Sequence, residues 1–442
     1  MKELDLSISI LNEIIDENVP FAESLRKVFQ TDVSLRPMRA AVAGLVGCVL
    51  RHLILFDKLA SPFVDFTVEE KRRLYLGLAN NYYYRHYEPE EIKAEIKAAL
   101  GEEKFALCLP LFEKAGNPDT YIPEDIARAS NEYLSLRYNV PIWVIKVLEH
   151  FGYSNTYKTL RVYVRPAAYY LRIREGVDEE ALIASGDYEK TTVPAILLYK
   201  GKTPLRKIEA YREGKIFDEK PYVKWLIEKH LVQEPQEVFL YDGNQSDAFA
   251  RELIETYGER IGLNIAVKSV DEKLAVTRLI KEKGLHNVNF FSAPDPLSME
   301  AAISRPQDLV ICCPDSTNFD LIPLSPDYLL HFDKPGMDAL FESQKKTLEG
   351  CAKYVEVGGK LIYCIATVSQ KEGRSTVAAF LRQHAEFELV EEKQNFPFEE
   401  LASAFYYAVL TKKENVVAAE PPIGDLTALS PKMSATASAA AK

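Results

Sequence analysis

The chain has 442 residues, of which 47% are hydrophobic and 27% charged, so it is globular in composition and too long for one ordinary core; two or three domains are expected. Lys and Arg number 54 against 65 Asp and Glu, a formal charge of −11, so any nucleic-acid surface has to be a local patch. Six scattered cysteines without C-x-x-C or Cys/His spacing argue against a disulfide scaffold and a metal site, and they point to a reduced, cytoplasmic setting. No apolar run approaches the roughly 18 residues of a membrane span, and acids interrupt MKELDLSISILNEIIDE, so neither membrane nor signal peptide is expected.

Residues 1–135 read as helix throughout. Val42, Leu45, Val46, Val49, Leu50 and Leu53 form a stripe of helical period, and Gly44 and Gly47 leave room for a close neighbour. Thr67 followed by Glu70 has the spacing of a capping box. In 131–152, Pro141 suits the first turn of a helix, and Trp143 is expected as a packing anchor between domains.

From about 155 to 225 the pattern alternates. Strands are predicted at 169–174 and 195–199 with a helix at 179–184, which makes a small α+β module. Basic residues gather here, among them Arg172, Arg174, Lys200, Lys202 and Arg206, interleaved with Tyr163, Tyr169 and Tyr170. Such alternation either binds single-stranded RNA through phosphates and stacking or is a solvated strand face.

Between 226 and 412 the chain alternates strand and helix. Strands are predicted at 238–241, 265–268, 288–291, 309–312 and 361–365, and 387–392 and 405–410 complete seven. The last two of the first five are followed by turns of small polar residues, where open α/β sheets place ligands. Beyond Lys412 the composition turns to Ala, Ser, Thr and Pro, as in a disordered tail over 413–442.

Several stretches, in order, carry a family resemblance. Arg39, Leu50-Arg51 and Asp57-Lys58-Leu59 come first, followed by Pro141, Trp143 and Gly152, and by Arg212-Glu213-Gly214 with Phe217-Asp218. Last come Cys312-Cys313-Pro314-Asp315-Ser316, Gln344, Gly358-Gly359, Tyr363-Cys364-Ile365-Ala366-Thr367 and Glu372. Together they resemble the Sun/RsmB branch of the RNA cytosine-5 methyltransferases, whose N-terminal domain is NusB-like. The resemblance implies an all-α NusB-like bundle over 1–135 and a linker helix with a small α+β RNA-binding-like module over 136–225. It implies a Rossmann-like, class I S-adenosylmethionine-dependent methyltransferase domain over 226–412.

The departures fall on the chemistry. In the family a thiolate attacks C6 of cytosine and a second cysteine helps resolve the adduct; the matching positions here are Ala366 and Asp315. The family's glycine-rich cofactor turn becomes Asp242-Gly243-Asn244-Gln245-Ser246-Asp247. The acid that accepts the ribose hydroxyls aligns with Lys268, which has no acceptor, while Asp271 matches a later position. The adenine-reading acid is replaced by Ala293 or displaced to Asp295. Asp242, Gly243, Asp271 and Pro314 are the remaining candidates for S-adenosylmethionine contacts, and Cys364 is the candidate for a relocated nucleophile. The leading expectation is an RNA-binding, catalytically degenerate member with ribosomal RNA as partner. An active enzyme using Cys364 and a protein-interaction scaffold are the alternatives.

Overall fold

A computed structural model of the chain describes residues 2–114, 121–165, 168–231, 237–243, 247–267, 270–292, 303 and 305–414, with only the backbone of 267, 270–273 and 292. The tail predicted for 413–442 lies outside the described residues from 415 onward.

The N-terminal part is helical, in α1 (Lys2–Ile15), α2 (Phe21–Thr31), α3 (Arg39–Arg51), α4 (Leu53–Ala60), α5 (Val68–Ala79) and α6 (Pro89–Glu113). Leu4 and Leu11 of α1, Val42, Leu45 and Val49 of α3, and Leu74 and Leu78 of α5 share one core. Each such burial is worth roughly 1.5–3 kcal/mol. Thr67 and Glu70 form the reciprocal capping box at the start of α5. Gly44 is a packing requirement, because a Cβ there would lie 2.2 Å from the Tyr84 ring.

The stripe over 39–59, continuous in sequence, is two helices. Asn139, held at φ +50, reaches between them. Its Oδ1 accepts from the Ile54 amide at 2.9 Å and its Nδ2 donates to the Leu50 carbonyl at 2.8 Å, so a distant carboxamide partners backbone groups at the break. The helical run Val33–Arg51 is long and apolar enough to cross a bilayer by length and composition, contrary to the sequence expectation. Its apolar face, including Val42, Leu45 and Val49, lies inside the bundle.

Three linker helices follow, α7 (Asn131–Tyr138), α8 (Ile142–Glu149) and α9 (Tyr153–Tyr163). Pro141 sits at the N-cap of α8, one residue before the first turn. Trp143 packs on Phe319 and Phe332, with ring centroids 6.1 and 6.0 Å away.

The next unit is an antiparallel sheet of β1 (Tyr169–Ile173), β2 (Tyr188–Lys190), β3 (Ile196–Tyr199) and β4 (Ile216–Asp218), in the order β2-β3-β1-β4. Helices α10 (Glu179–Ala184) and α11 (Glu209–Arg212) lie in its connections. The three-residue strands β2 and β4 are too short to show alternation in sequence, and the ladder of their longer neighbours recruits them.

The α/β unit runs α12 (Pro221–His230), β5 (Glu237–Asp242), α13 (Ala248–Tyr257), β6 (Gly262–Val267), α14 (Val270–Lys283), β7 (Val288–Ser292) and β8 (Gln307–Cys313). It continues with α15 (Lys334–Ala352), β9 (Val355–Ile365), α16 (Arg374–Gln383), β10 (Phe387–Asn395) and β11 (Phe405–Lys412). Strand order is β10-β11-β9-β8-β5-β6-β7, with β5 to β9 parallel and β11 antiparallel to both its neighbours. Val238 and Leu240 face one core and Phe239 and Tyr241 the other, as a strand covered on both faces requires. The chain moves from β5 outward to β7 and returns to β8 on the other side of β5, so the topological switch lies between β5 and β8.

Candidate cofactor and nucleic-acid sites

At that switch Asp242 pairs in register with Cys313. The turns beyond them are pressed together. The Gly243 amide donates to the Cys313 carbonyl at 2.7 Å, and a Cβ on Gly243 would lie 3.0 Å from the Asp315 nitrogen. Glycine is needed here so that one loop can touch the other. Asp242 and Pro314 are buried, Asp315 is half-buried, and the Asp315 carbonyl accepts from Gln344 Nε2 at 2.8 Å. Residues 244–246, Lys268, Ala293 and Asp295 lie outside the described residues, and of Asp271 only the backbone, in α14, is described.

One buried carboxylate organises the loops after β8 and β9. Glu372 accepts from the Thr317 amide at 2.9 Å, Thr317 Oγ1 at 2.7 Å, Thr367 Oγ1 at 2.8 Å and Gln344 Nε2 at 2.9 Å. The Tyr363 hydroxyl donates to the Glu372 carbonyl at 2.8 Å. Four donors replace the water that a fully buried carboxylate loses. Gln344, Tyr363 and Glu372, matched separately in sequence, therefore act as one network.

The cysteines are distributed by strand alternation. Cys313 and Cys364 face the core shared with α12 and α13, whereas Cys312 and Cys351 meet in the core on the opposite face of the sheet. Burial pushes the Cys313 thiol well above its ordinary value, and its hydrogen bond with Cys364 adds to the effect, so it stays a neutral thiol. Cys364 is 1% exposed and Ala366 1% exposed. The Ala366 carbonyl accepts from the Phe319 amide at 3.2 Å. On the same face Tyr222 stacks on Phe405 with centroids 4.4 Å apart and planes within 18°.

The small sheet carries a surface cleft of about 630 Å³, lined by Tyr169, Tyr199, Lys200, Lys202, Arg206 and Tyr211. Three of the sequence-predicted basic residues, Lys200, Lys202 and Arg206, meet there. Lys200 pairs with Glu189, and the Tyr199 hydroxyl donates to the Thr203 carbonyl at 2.7 Å, fixing the rim. Desolvation, with its hydrogen bond to Asp218, lifts the Tyr211 phenol to about 12. Tyr199 and Tyr211 were not singled out in the sequence, although Tyr199 directly precedes Lys200.

Arg172 and Arg174 are placed elsewhere. Arg172 Nε lies 3.1 Å from Glu252 Oε2, and Arg174 pairs with Glu255 at 2.9 Å and Glu282 at 2.7 Å. Arg172 thus ties β1 to α13, and Arg174, just past β1, bridges α13 and α14. Both arginines, candidates for RNA contact in the sequence, are ion-paired within the chain and lie away from the cleft lining.

No family model matches the chain. A Xanthomonas campestris protein named ribosomal RNA small subunit methyltransferase B is 28% identical over 119 residues, which are 24% of this chain and 27% of that protein. A Bacillus subtilis protein named "Probable ribosomal RNA small subunit methyltransferase B" is 24% identical over 415 residues, 87% of this chain and 89% of that one. The chain thus aligns with about a quarter of the first relative and nearly all of the second. Among solved structures, PH0851 is similar with a TM-score of 0.69 at 18% identity, covering 93% of this chain and 98% of that one. NSun6 from Pyrococcus horikoshii with SFG has a TM-score of 0.52 at 13% identity, covering 62% and 99%. At such identities the structures speak for the fold, an α/β Rossmann-like methyltransferase with a helical N-terminal region. Together with the ordered motifs, the end-to-end relative and these folds bear out the resemblance of the chain to the Sun/RsmB family of RNA cytosine-5 methyltransferases.

Proposed function

We propose that this chain is an RNA-binding member of its family in which methyl transfer has been lost. The observation that carries the reading is Ala366 at the nucleophile position, with Cys364, two residues before it, and Cys313 buried in the core. A methyl side chain forms no adduct with cytosine, and a thiol at 1% exposure meets no base. That burial also disfavours Cys364 as a relocated nucleophile.

The residues present fit S-adenosylmethionine poorly. Gly243 is occupied in loop–loop contact, and a lysine at the ribose position has no acceptor to offer. RNA binding falls to the cleft of Lys200, Lys202 and Arg206, a local basic patch on an acidic chain. The relatives' names support ribosomal RNA of the small subunit as the partner class, and the scattered, unpaired cysteines support a cytoplasmic setting. The helices of 1–135 are read as the NusB-like module, 136–225 as the RNA-binding module and 226–412 as the methyltransferase-like domain.

Calorimetry with S-adenosylmethionine tests the lost activity: no heat of binding is expected at micromolar cofactor, and Ala366→Cys with Asp315→Cys should not restore transfer. Micromolar binding followed by cytosine methylation would overturn this half. For the RNA half, Lys202→Glu with Arg206→Glu should weaken binding and flatten its salt dependence. An unchanged salt slope would remove the cleft from the reading.

A further inference from the structure

Helix α9 carries a row of side chains that the methyltransferase frame does not use. Tyr153 and Tyr157, one turn apart, are 60% and 38% exposed, with rings 6.2 Å apart and within 17° of parallel. One turn further on, the Arg161 guanidinium lies 5.9 Å from the Tyr157 centroid. On the other side Tyr138 meets Tyr157 edge-on at 6.0 Å, and Arg137 stands 5.8 Å over Tyr138. Tyr153, Tyr157 and Arg161 therefore form an exposed row, with the buried Tyr138 backing Tyr157 from inside.

Its charge selects among partners. From Tyr153 to Arg165 the sequence holds Lys158, Arg161 and Arg165 and no acid, in a chain whose acids outnumber its bases by 65 to 54. Both Arg161 and Arg165 are exposed, and neither pairs with a carboxylate among the described residues. Aromatic faces beside unpaired guanidinium groups suit a polyanion with flat rings, because every base has a π-face and every phosphate a negative charge. In a duplex those faces are stacked on one another, so the row favours a single strand. Arg165 is also four residues from Tyr169 of the basic cleft, so the two α-carbons are within about 14 Å of each other.

We propose that the α9 surface of Tyr153, Tyr157 and Arg161 binds single-stranded RNA, with bases stacked on the tyrosines and phosphates held by Arg161 and Arg165. It extends the cleft of the small sheet into one track. This inference rests on the RNA-binding reading above.

The test is fluorescence anisotropy of the full chain with a labelled oligo-cytidine single strand and with an RNA duplex of equal length. Tyr153→Ala with Tyr157→Ala should weaken single-strand binding roughly ten- to a hundredfold while leaving its salt slope unchanged. Tyr153→Phe with Tyr157→Phe should bind like the parent, because the ring and not the hydroxyl does the stacking. Arg161→Ala should lower the slope against salt by about 0.7, and it tests the same surface should the alanine pair fail to fold. Parent-like affinity of the alanine pair, or equal losses for strand and duplex, would overturn the α9 site while leaving the RNA reading standing. If the parent chain binds neither RNA, both fall.

Discussion

Gln344 Nε2 lies 2.9 Å from Glu372 Oε2, and through that contact α15 is tied to the loop that follows β9. The same carboxylate holds Thr317 and Thr367, so the two loops that carry catalytic cysteines in the family are laced to a common buried charge. This support stands although Ala366 and Asp315 occupy the positions that match the family's cysteines. The frame of the site and its reactive groups are therefore physically separable.

Replacing Glu372 with Ala would leave two threonine hydroxyls, one backbone amide and one carboxamide without their shared acceptor. The expected cost is about 3 kcal/mol or more of folding stability. Urea unfolding of the variant measures it, and a loss below about 1 kcal/mol would mean that water or a rearranged loop takes over the role.

Glu219 should give stability a falling limb with pH. It is 6% exposed, Oε1 accepts from the Lys220 amide at 2.8 Å, and burial lifts its carboxyl to about 8, with Arg251 opposing. The folded state then keeps a proton that the unfolded state releases near 4.5, so stability declines as pH rises from about 4.5 to 8. Glu219→Gln removes this decline. Its advantage over the parent should grow across that window toward roughly 4–5 kcal/mol at most, read from denaturation at several pH values. A constant difference between the two proteins at pH 5 and pH 8 would contradict it.

Arg172 and Lys202, alike in sequence, should part company on mutation. Arg172→Ala strips Glu252, fully buried, of one partner and leaves it Lys224 at 3.5 Å, which should cost about 3–5 kcal/mol. Lys202→Ala, on the exposed cleft rim, should stay within about 0.5 kcal/mol of the parent while weakening RNA binding. Thermal melts paired with RNA titrations separate the two effects. Equal melting losses would refute the division.

Thiol chemistry gives a further check. Cys312, Cys313, Cys351 and Cys364 are all at most 1% exposed, and burial lifts the Cys108 thiol to about 11. Ellman's reagent at pH 8 should leave these five unreacted in the folded protein and label all six cysteines after denaturation. Rapid modification of Cys364 in the native chain would show that the switch point opens, and it would revive a thiol at the site.

Local physics was legible in the sequence. The capping box of Thr67 and Glu70 needs residues three apart, and the strands of the parallel sheet are short β-branched runs bounded by turns. Seven strands with a closing antiparallel pair followed from those runs.

Tertiary structure decided what depends on distant partners. The break between α3 and α4 is partnered by Asn139, 85 residues beyond Ile54, a contact that no periodicity within 39–59 could announce. Arg172 looked like Lys202 because a basic residue in an alternating segment carries no record of its counter-ion. Glu252, 80 residues away, turned one into a clamp while the other remained at the cleft. Sequence spacing put Cys364 two residues before Ala366, but only the packing of Cys313, Tyr222 and Phe405 in the same core buried its thiol. Sequence fixes which groups a chain possesses and how near neighbours along it are spaced; burial and charge pairing are properties of through-space distance, which the fold alone sets.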